Sequence, residues 1–526
     1  MYKNKWIKYT LFTLIIIAFS GFLLSLYIKK NALEKITDIP GIACENVAFN
    51  PFSGCLELEQ LSIQRPIGEK ESEVLDLITT KVKIHGLSYW QYLKNDKVFV
   101  NEVLFADLAI KVKANKEEMT VERDSQAKRN TPEEILVKKI RIENGQLAVQ
   151  NEQFKQLQLD TFSTNIDNFQ FLIKKDSQQI NWSKFEFLSK QFLLNEQKSD
   201  NRLLASSIEL TANNKLSIQD FRWQPKYSKS NYLDHHPYRK ARLDVKIPSV
   251  EVFQFSLHDL LFKKSLKAQS IVAKDGALKI YTDKNKVACP DCLKTYHYED
   301  FIDSELKIGI DSIQIKNSLI VLEELGAGKQ KAGKLDWSKV YASIYNLTNH
   351  PAEALTKPTT VADIQAIFVD DGQVDLHFEF PNFDKNADYR FYGNLDRVKL
   401  KDINSFLVFS KRFRIKQGVV SKFAFNGRGN LQGASGEMKL RYKDLALQLL
   451  NKDRSPRKFL SKIANTLIGN KNNPNKDEKL RKGIMYFERD LQKSFISNWW
   501  RTMQTGIKST MLPNILLPKE LEHKTK

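Results

Sequence analysis

The stretch IRIENGQLAV, residues 140–149, carries the pattern on which the fold prediction depends. Apolar residues flank a central Asn-Gly pair on both sides: Ile140, Ile142, Leu147 and Val149. Asn144 and Gly145 both tolerate the positive φ that a two-residue hairpin turn needs. The stretch therefore predicts a strand, a tight turn and a second strand.

Similar stretches recur along the chain at irregular spacing. They are IVAKDGALKI from Ile271, IQIKNSLIVL from Ile313 and IFVDDGQVDL from Ile367, with a weaker copy, VLFADLAIKV, from Val103. A solenoid with identical turns would show a fixed period. Irregular spacing favours a meandering sheet that grows by adding strands and has loops of variable length.

Alternation of apolar and polar residues supports a mainly β fold. In VDLHFEF, residues 374–380, every second residue is apolar, which is typical of a strand with one apolar face. Long amphipathic helices are scarce between residues 31 and 440. We therefore expect a long, curled antiparallel sheet, shaped like a groove, over residues 29–450.

The C-terminal end, residues 451–526, has a different pattern. Ser455 and Pro456 suit a helix start, GIMYFER reads as one strand, and Asp490 suits the cap of a last helix. This helix carries Trp499 and Trp500 beside basic residues. Two interpretations stay open: the tryptophans lie at a membrane interface, or the helix closes the open end of the sheet with both in the core.

The N-terminus contains a candidate membrane anchor. Residues 9–28 are twenty residues without a charge, which matches the ~20 residues needed to cross ~30 Å of hydrocarbon. We expect a cytoplasmic tail at residues 1–8, an anchor at 9–28 and the bulk of the chain outside the cytoplasm. A cleaved signal peptide is the alternative, disfavoured by the length of the apolar run and the lack of a small-x-small site.

The chain is basic, with a net charge of +20, and the excess is concentrated at the end. From Arg441 onward there are 19 Lys and Arg against 8 Asp and Glu, a difference of +11. Such an excess suits nucleic acid or anionic lipid as a partner. Because the anchor places the chain outside the cytoplasm, we expect lipid and the inner membrane, and no nucleic acid.

The sequence assigns no catalytic, cofactor-binding or metal-binding residue. Cys289 and Cys292 form a CPDC motif, but a zinc site needs a second ligand pair and a redox site needs a helix start. A local disulfide or two free thiols are favoured, and a periplasmic enzyme that uses this motif is the remote alternative. Around the other two cysteines, a hairpin with Phe49 opposite Leu56 would keep Cys44 and Cys55 apart.

Residues 395–453 resemble the conserved end of AsmA-like proteins. The pattern of that family has a Gly turn, an "f-f-G" strand and a "G-m-l-Y-dL" stretch, matched here by Gly418, Phe423, Phe425, Gly427, Gly436, Met438, Leu440, Tyr442, Asp444 and Leu445. Residues 42–63 are similar to the first hairpin of the family, and residues 488–510 resemble the ending of envelope members. The CPDC motif has no counterpart in the pattern.

The resemblance implies a single-pass protein of the bacterial inner membrane with its bulk in the periplasm. It implies a groove-shaped sheet related to bridge-like lipid transfer proteins. The expected function is binding or transfer of phospholipid or another acyl lipid in the cell envelope, without enzymatic activity and with outer-membrane components as further partners. The alternative is a structural or assembly factor for outer-membrane protein biogenesis.

Overall fold

The computed structural model describes residues 40–50, 53–67, 73–88, 97–114, 134–174, 177–451 and 453–513. The tail and anchor expected at residues 1–8 and 9–28 lie outside these ranges. Among the helices of the described ranges, none combines the length and the apolar character needed to cross a bilayer. The described chain is mainly β, as predicted.

The chain divides into two compact units, Met1–Gln219 (unit 1) and Asp220–Lys526 (unit 2). The boundary falls inside strand β12 (Leu216–Pro225). It lies within the range 29–450 that the sequence assigns to one sheet domain. The basic end, residues 451–526, belongs to the same unit as the strands that precede it.

Unit 1 consists of strands in its described part. They are β1 (Ile42–Ala43), β2 (Asn46–Asn50), β3 (Cys55–Ile67), β4 (Glu73–His85), β5 (Lys97–Ala106), β6 (Ala109–Ala114), β7 (Glu134–Gln150), β8 (Phe154–Lys174), β9 (Ser177–Asn181), β10 (Lys184–Glu196) and β11 (Asn201–Leu210). The β2–β3 register places Phe49 opposite Leu56, which confirms the predicted hairpin. Cys44 and Cys55 are both free.

Unit 2 contains the remaining strands and all the described helices. Its strands are β13 (Arg242–Phe253), β14 (Ser265–Lys274), β15 (Ala277–Asp283), β16 (Lys307–Leu325), β17 (Gly333–Thr348), β18 (Thr359–Phe368), β19 (Gly372–Pro381), β20 (Tyr389–Lys399), β21 (Phe413–Gly429), β22 (Gly433–Leu449) and β23 (Lys482–Glu488). Its helices are α1 (Leu257–Lys263), α2 (His297–Ile302), α3 (Pro351–Ala354), α4 (Asn404–Ser410), α5 (Lys458–Leu467) and α6 (Phe495–Met511).

The expectation of a purely antiparallel sheet is wrong. In unit 1, β5 and β6 both pair antiparallel with β4 and parallel with β7. In unit 2, β14 and β15 both pair antiparallel with β13 and parallel with β16. Each pair is therefore one interrupted strand between an antiparallel and a parallel neighbour, so the two units repeat one mixed arrangement.

The hairpin prediction for residues 140–149 is also wrong, because the whole stretch lies inside the single strand β7. Asn144 has φ 54°, but Gly145 does not have a positive φ, whereas a type I′ turn needs two such residues in succession. One left-handed residue bends a strand without reversing it. The stretch from Ile313 likewise lies inside β16. The stretches from Val103 and Ile271 cross the β5–β6 and β14–β15 interruptions without a reversal of the chain. Of the similar stretches, the one from Ile367 alone forms a hairpin, β18–β19.

The bends of neighbouring strands are bonded to each other in both units. In unit 1, Asn144 Nδ2 donates to Asp107 Oδ1 at 3.3 Å, and the Asp107 amide donates to the Glu143 carbonyl. In unit 2, Asn317 Nδ2 donates to Asp275 Oδ1 at 2.6 Å. Asp107, Asn144, Asp275 and Asn317 all have φ between 51° and 56°. In each unit a line of bends therefore crosses adjacent strands.

The C-terminal helices begin later than the sequence suggests. The predicted start at Ser455 and Pro456 is displaced to Lys458, and the last helix is capped by Ser494 rather than Asp490. The Ser494 side chain accepts a hydrogen bond from the Ser497 amide. The strand predicted for GIMYFER is confirmed as β23.

Candidate functional site

The apolar face of unit 1 is built from rows of side chains that cross the strands. One row crosses eight strands, and each of its residues is the direct cross-strand partner of the next: Ile42, Ile63, Leu77, Ile110, Leu147, Leu159, Phe192 and Ala205. With ~4.8 Å between neighbouring strands, this row extends over roughly 34 Å. We call it the first row.

A second row lies on the far side of the line of bends. It consists of Phe49, Leu56, Ile84, Val103, Ile140, Ile166 and Phe185. Ile63 of the first row and Leu56 of the second pack in the same apolar cluster, so both rows lie on one face. Along β3, Leu58 and Leu61 are three residues apart yet share this cluster, because Gln60 between them has φ 51°.

The bends therefore keep the apolar face continuous. In a regular strand, side chains alternate between faces with period two, and an odd spacing would send Leu61 to the polar side. The left-handed residue shifts the alternation by one position. Gly145 follows the bend at Asn144 and leaves no room for a side chain, since an added Cβ would lie 2.5 Å from the Phe162 ring.

The rows of unit 1 are half-buried rather than enclosed. All seven residues of the second row have intermediate exposure, as do the first seven of the first row. In the described part of unit 1 every element is a strand, so no described helix of this unit covers the face. Within the described residues of unit 1, the face is thus a long, half-buried apolar surface.

The opposite face of unit 1 is charged and paired. Lys83 and Lys81 contact the two oxygens of Glu57 at 2.9 and 3.0 Å, and Arg141 contacts Glu102 at 2.6 Å. Hydrogen bonds from Lys83 and then Lys81 hold the pKa of the Glu57 carboxyl below its ordinary value. Opposite-charge pairs across neighbouring strands stabilise the sheet on this face.

Unit 2 has a matching row, but helices cover its end. The row runs through Val252, Ile271, Ile313, Ile344, Ala362, Phe378, Phe391, Gly427, Gly436 and Met485. Phe378, Phe391 and Met485 are buried in the main core together with Phe495 and Met503 of α6. Ile403 and Leu407, at the start of α4 and within it, pack against the same core.

Small residues let α6 approach the sheet closely. A Cβ on Gly483 would lie 2.5 Å from the Gly506 carbonyl oxygen, and one on Gly506 would lie 2.5 Å from Met485 Cγ. Trp499 packs edge-on against Phe378, Phe391 and Phe425. Trp500 points outward and is 48% exposed. The two tryptophans are thus separated: Trp499 belongs to the covered face and Trp500 to the surface.

The segment that connects β15 to β16, residues 284–306, packs beside α6. Cys289 and Cys292 are bonded to each other in it. The Lys294 amide donates to the Leu491 carbonyl at 2.7 Å, and Arg489 Nη2 donates to the Lys294 carbonyl at 2.9 Å. Tyr296 is buried, with its ring edge-on to Phe495 and under the Arg489 guanidinium. The CPDC motif therefore lies in a segment docked on the covered end of unit 2.

One acid–histidine arrangement escaped the sequence, because its members come from neighbouring strands. His377 Nδ1 lies 2.6 Å from Asp363 Oδ1, and Nε2 lies 3.3 Å from Glu379 Oε1. Both ring nitrogens are engaged by carboxylates, so neither is available to activate a nucleophile. Within the described residues no group of three or more His, Cys, Asp or Glu side chains is arranged so that it could hold a metal ion.

Six of the ten residues that carry the family resemblance lie in the main core of unit 2. Phe423, Phe425, Met438, Leu440 and Tyr442 are all buried in β21 and β22. No protein-family model matches the chain. No curated protein has a similar sequence.

Proposed function

We propose that this chain is a membrane-anchored protein of the bacterial envelope that binds lipid, phospholipid in the first place, on the apolar face of unit 1 and takes part in its transfer. The observation that carries the proposal is the pair of continuous, half-buried apolar rows. A protein surface of this length normally marks a binding site. The resemblance to AsmA-like proteins at both ends of the sequence supports the same conclusion.

The physical chemistry of the rows suits an acyl chain. A chain of about 15 methylenes, each worth ~0.8 kcal/mol, gains on the order of 12 kcal/mol by leaving water. The first row is apolar on each of its eight strands, so a chain that shifts by one strand keeps its apolar contacts. Binding would be strong in total and weakly dependent on position, as transfer requires.

The charge of the protein suits an anionic head group. The net charge of +20 favours phosphate-bearing lipid over neutral apolar ligands. The inner membrane as the site of anchoring and the periplasm as the location of the sheet belong to the same proposal. Outer-membrane components are the expected acceptors.

Native mass spectrometry of the full chain, purified in a mild detergent, tests the proposal. Wild type should carry phospholipid, and Ile110→Glu, which puts a carboxylate into the first row, should reduce bound lipid at least ten-fold. Lys111→Glu is the matched control, because Lys111 is exposed on the next position of the same strand and points to the polar face. Ile110→Met should retain the lipid, which separates loss of the apolar row from loss of folding.

Equal lipid content in the Ile110→Glu and Lys111→Glu variants would contradict the proposal. Crosslinking in cells then decides whether the alternative holds. Adducts with outer-membrane proteins in place of lipid would favour a structural or assembly role in outer-membrane protein biogenesis.

A further inference from the structure

Helix α5 (Lys458–Leu467) is oriented with its polar residues toward the protein and its apolar residues toward solvent. Phe459, Ile463 and Leu467 are 76%, 41% and 44% exposed. Ser461 is buried. This is the reverse of an ordinary surface helix, which buries its apolar stripe.

Hydrogen bonds to an edge of the sheet fix this orientation. Ser461 Oγ accepts from the Leu449 amide at 2.9 Å. Asn465 Oδ1 accepts from the Leu447 amide, and its Nδ2 donates to the Leu447 carbonyl, both at 2.7 Å. The two polar side chains thus satisfy the backbone of β22 where β23 no longer pairs with it. Rotating the helix to bury its apolar stripe would leave these groups without their partners.

The geometry of the helix separates the two sets of residues completely. At 100° per residue, the mean direction of Phe459, Ile463 and Leu467 is about 180° from that of Ser461 and Asn465. Lys458 and Lys462 lie on one flank between them and are both exposed, whereas Leu460 and Ala464 lie on the other flank and are half-buried. An exposed apolar ridge with lysines along one side suits a helix that lies in a membrane interface, where lysine stems extend to the head groups.

Charge favours an anionic membrane over a protein partner. Residues 454–471 contain five basic residues and no acidic one: Arg454, Arg457, Lys458, Lys462 and Lys471. The Arg454 guanidinium lies 4.4 Å from the centre of the Phe409 ring, and the Lys331 ammonium lies 5.0 Å from it, so Lys331 is a further cation near this segment. Each cation near an anionic leaflet adds to binding.

We propose that α5 is a membrane-docking element, in which Phe459, Ile463 and Leu467 enter the interface of a bilayer that contains anionic lipid while Lys458 and Lys462 contact its head groups. This surface is separate from the apolar rows of unit 1. It would bind a bilayer as a whole rather than a single lipid, and it stands even if those rows bind nothing.

A fluorophore beside the intact ridge tests the proposal in the full chain. Thr466→Cys, in a background with Cys44→Ser and Cys55→Ser, carries an environment-sensitive dye, and the Cys289–Cys292 disulfide is retained. Thr356→Cys is the matched reference, since Thr356 is also exposed and follows Leu355, which is 85% exposed. Each protein is reconstituted in vesicles of phosphatidylcholine alone or with phosphatidylglycerol, and lipid-borne nitroxide is the quencher.

We expect quenching at position 466 with phosphatidylglycerol, and little at position 356. Phe459→Ser with Ile463→Ser should lower the fraction of dye at position 466 that lipid nitroxide quenches at least ten-fold. Lys458→Gln with Lys462→Gln should do the same, at roughly five-fold per cation. The control Lys279→Gln with Lys316→Gln removes the same charge from exposed sites and should change nothing. Equal water exposure of the dye at both positions would overturn the proposal. A blue shift of the dye at position 466 that lipid nitroxide does not quench would also overturn it, and would indicate a protein partner or a second copy of the chain on the ridge.

Discussion

Units 1 and 2 use the same arrangement of strands and treat its apolar face differently. Both have an interrupted strand held between an antiparallel and a parallel neighbour, with a bonded Asp–Asn pair at the bend. In the described part of unit 1 the face is left half-buried, whereas in unit 2 the side chains of α4 and α6 lie on it. The strands therefore form a similar surface in both units, and in unit 2 helices cover it.

The largest effect on stability is expected from truncating the side chain through which α6 packs on the sheet of unit 2. Trp499→Ala deletes the indole that packs on Phe378, Phe391 and Phe425, and should lower the free energy of unfolding of unit 2 by about 3 kcal/mol. Trp500→Ala, which truncates an exposed ring, should change it by less than ~0.5 kcal/mol. Denaturant unfolding of the full chain, followed by hydrogen exchange in α6, measures both. Similar losses of stability in the two variants would show that the contacts of Trp499 do not hold α6 on the sheet.

A smaller effect is expected from the ion cluster beside α4. Lys284 and Lys411 contact the Glu324 carboxylate at 2.7 and 2.8 Å. Burial raises the pKa of Glu324, but hydrogen bonds from the two lysines outweigh it and leave the pKa below its ordinary value of 4.5. Burial, with the neighbouring Lys411, also lowers the pKa of Lys284, so the behaviour of the cluster in acid is set by Glu324.

Because the folded pKa of Glu324 is depressed, its contribution is present above pH 4.5 and is lost as the pH falls through the lowered value. Glu324→Gln should therefore destabilise unit 2 by roughly 1–3 kcal/mol at neutral pH, with the difference from wild type disappearing in acid. Glu57→Gln removes a more exposed pair in unit 1 and should have an effect of ~1 kcal/mol or less. Unfolding curves at neutral and acid pH measure this, and a pH-independent loss would refute it.

The smallest effect is expected at the CPDC motif. Replacing Cys289 and Cys292 with Ser opens a loop of only four residues, so the loss of stability should not exceed ~2 kcal/mol. Tyr296 and Arg489 should keep the segment docked. Lipid content of the full chain should be unchanged. A variant that folds but loses its function in cells would instead revive the enzyme hypothesis.

The sequence predicts the faces of this fold better than its connections. Alternation in residues 374–380 correctly indicates β19, because side-chain direction along a strand is a local property. The Asn144–Gly145 pair misleads, since the same left-handed conformation that permits a turn also permits a bend, and the choice depends on neighbouring strands. Parallel pairing through β7 and β16 is likewise set by contacts distant in sequence.

The candidate sites show the same limit. Each apolar residue of the first row can be read from the sequence, but the row itself requires the register of eight strands. The exposed ridge of α5 has the periodicity of an ordinary buried stripe. Only the bonds from Ser461 and Asn465 to β22 show that it faces outward.

Photocrosslinking in cells at two adjacent positions of β7 tests whether the apolar face of unit 1 contacts phospholipid. Benzoylphenylalanine in place of Leu147 lies in the first row of unit 1, and in place of Ala148 it lies on the opposite face of the same strand. We expect adducts with the mass of phospholipid at position 147 and not at position 148. Lipid adducts at neither position, or equally at both, would contradict it.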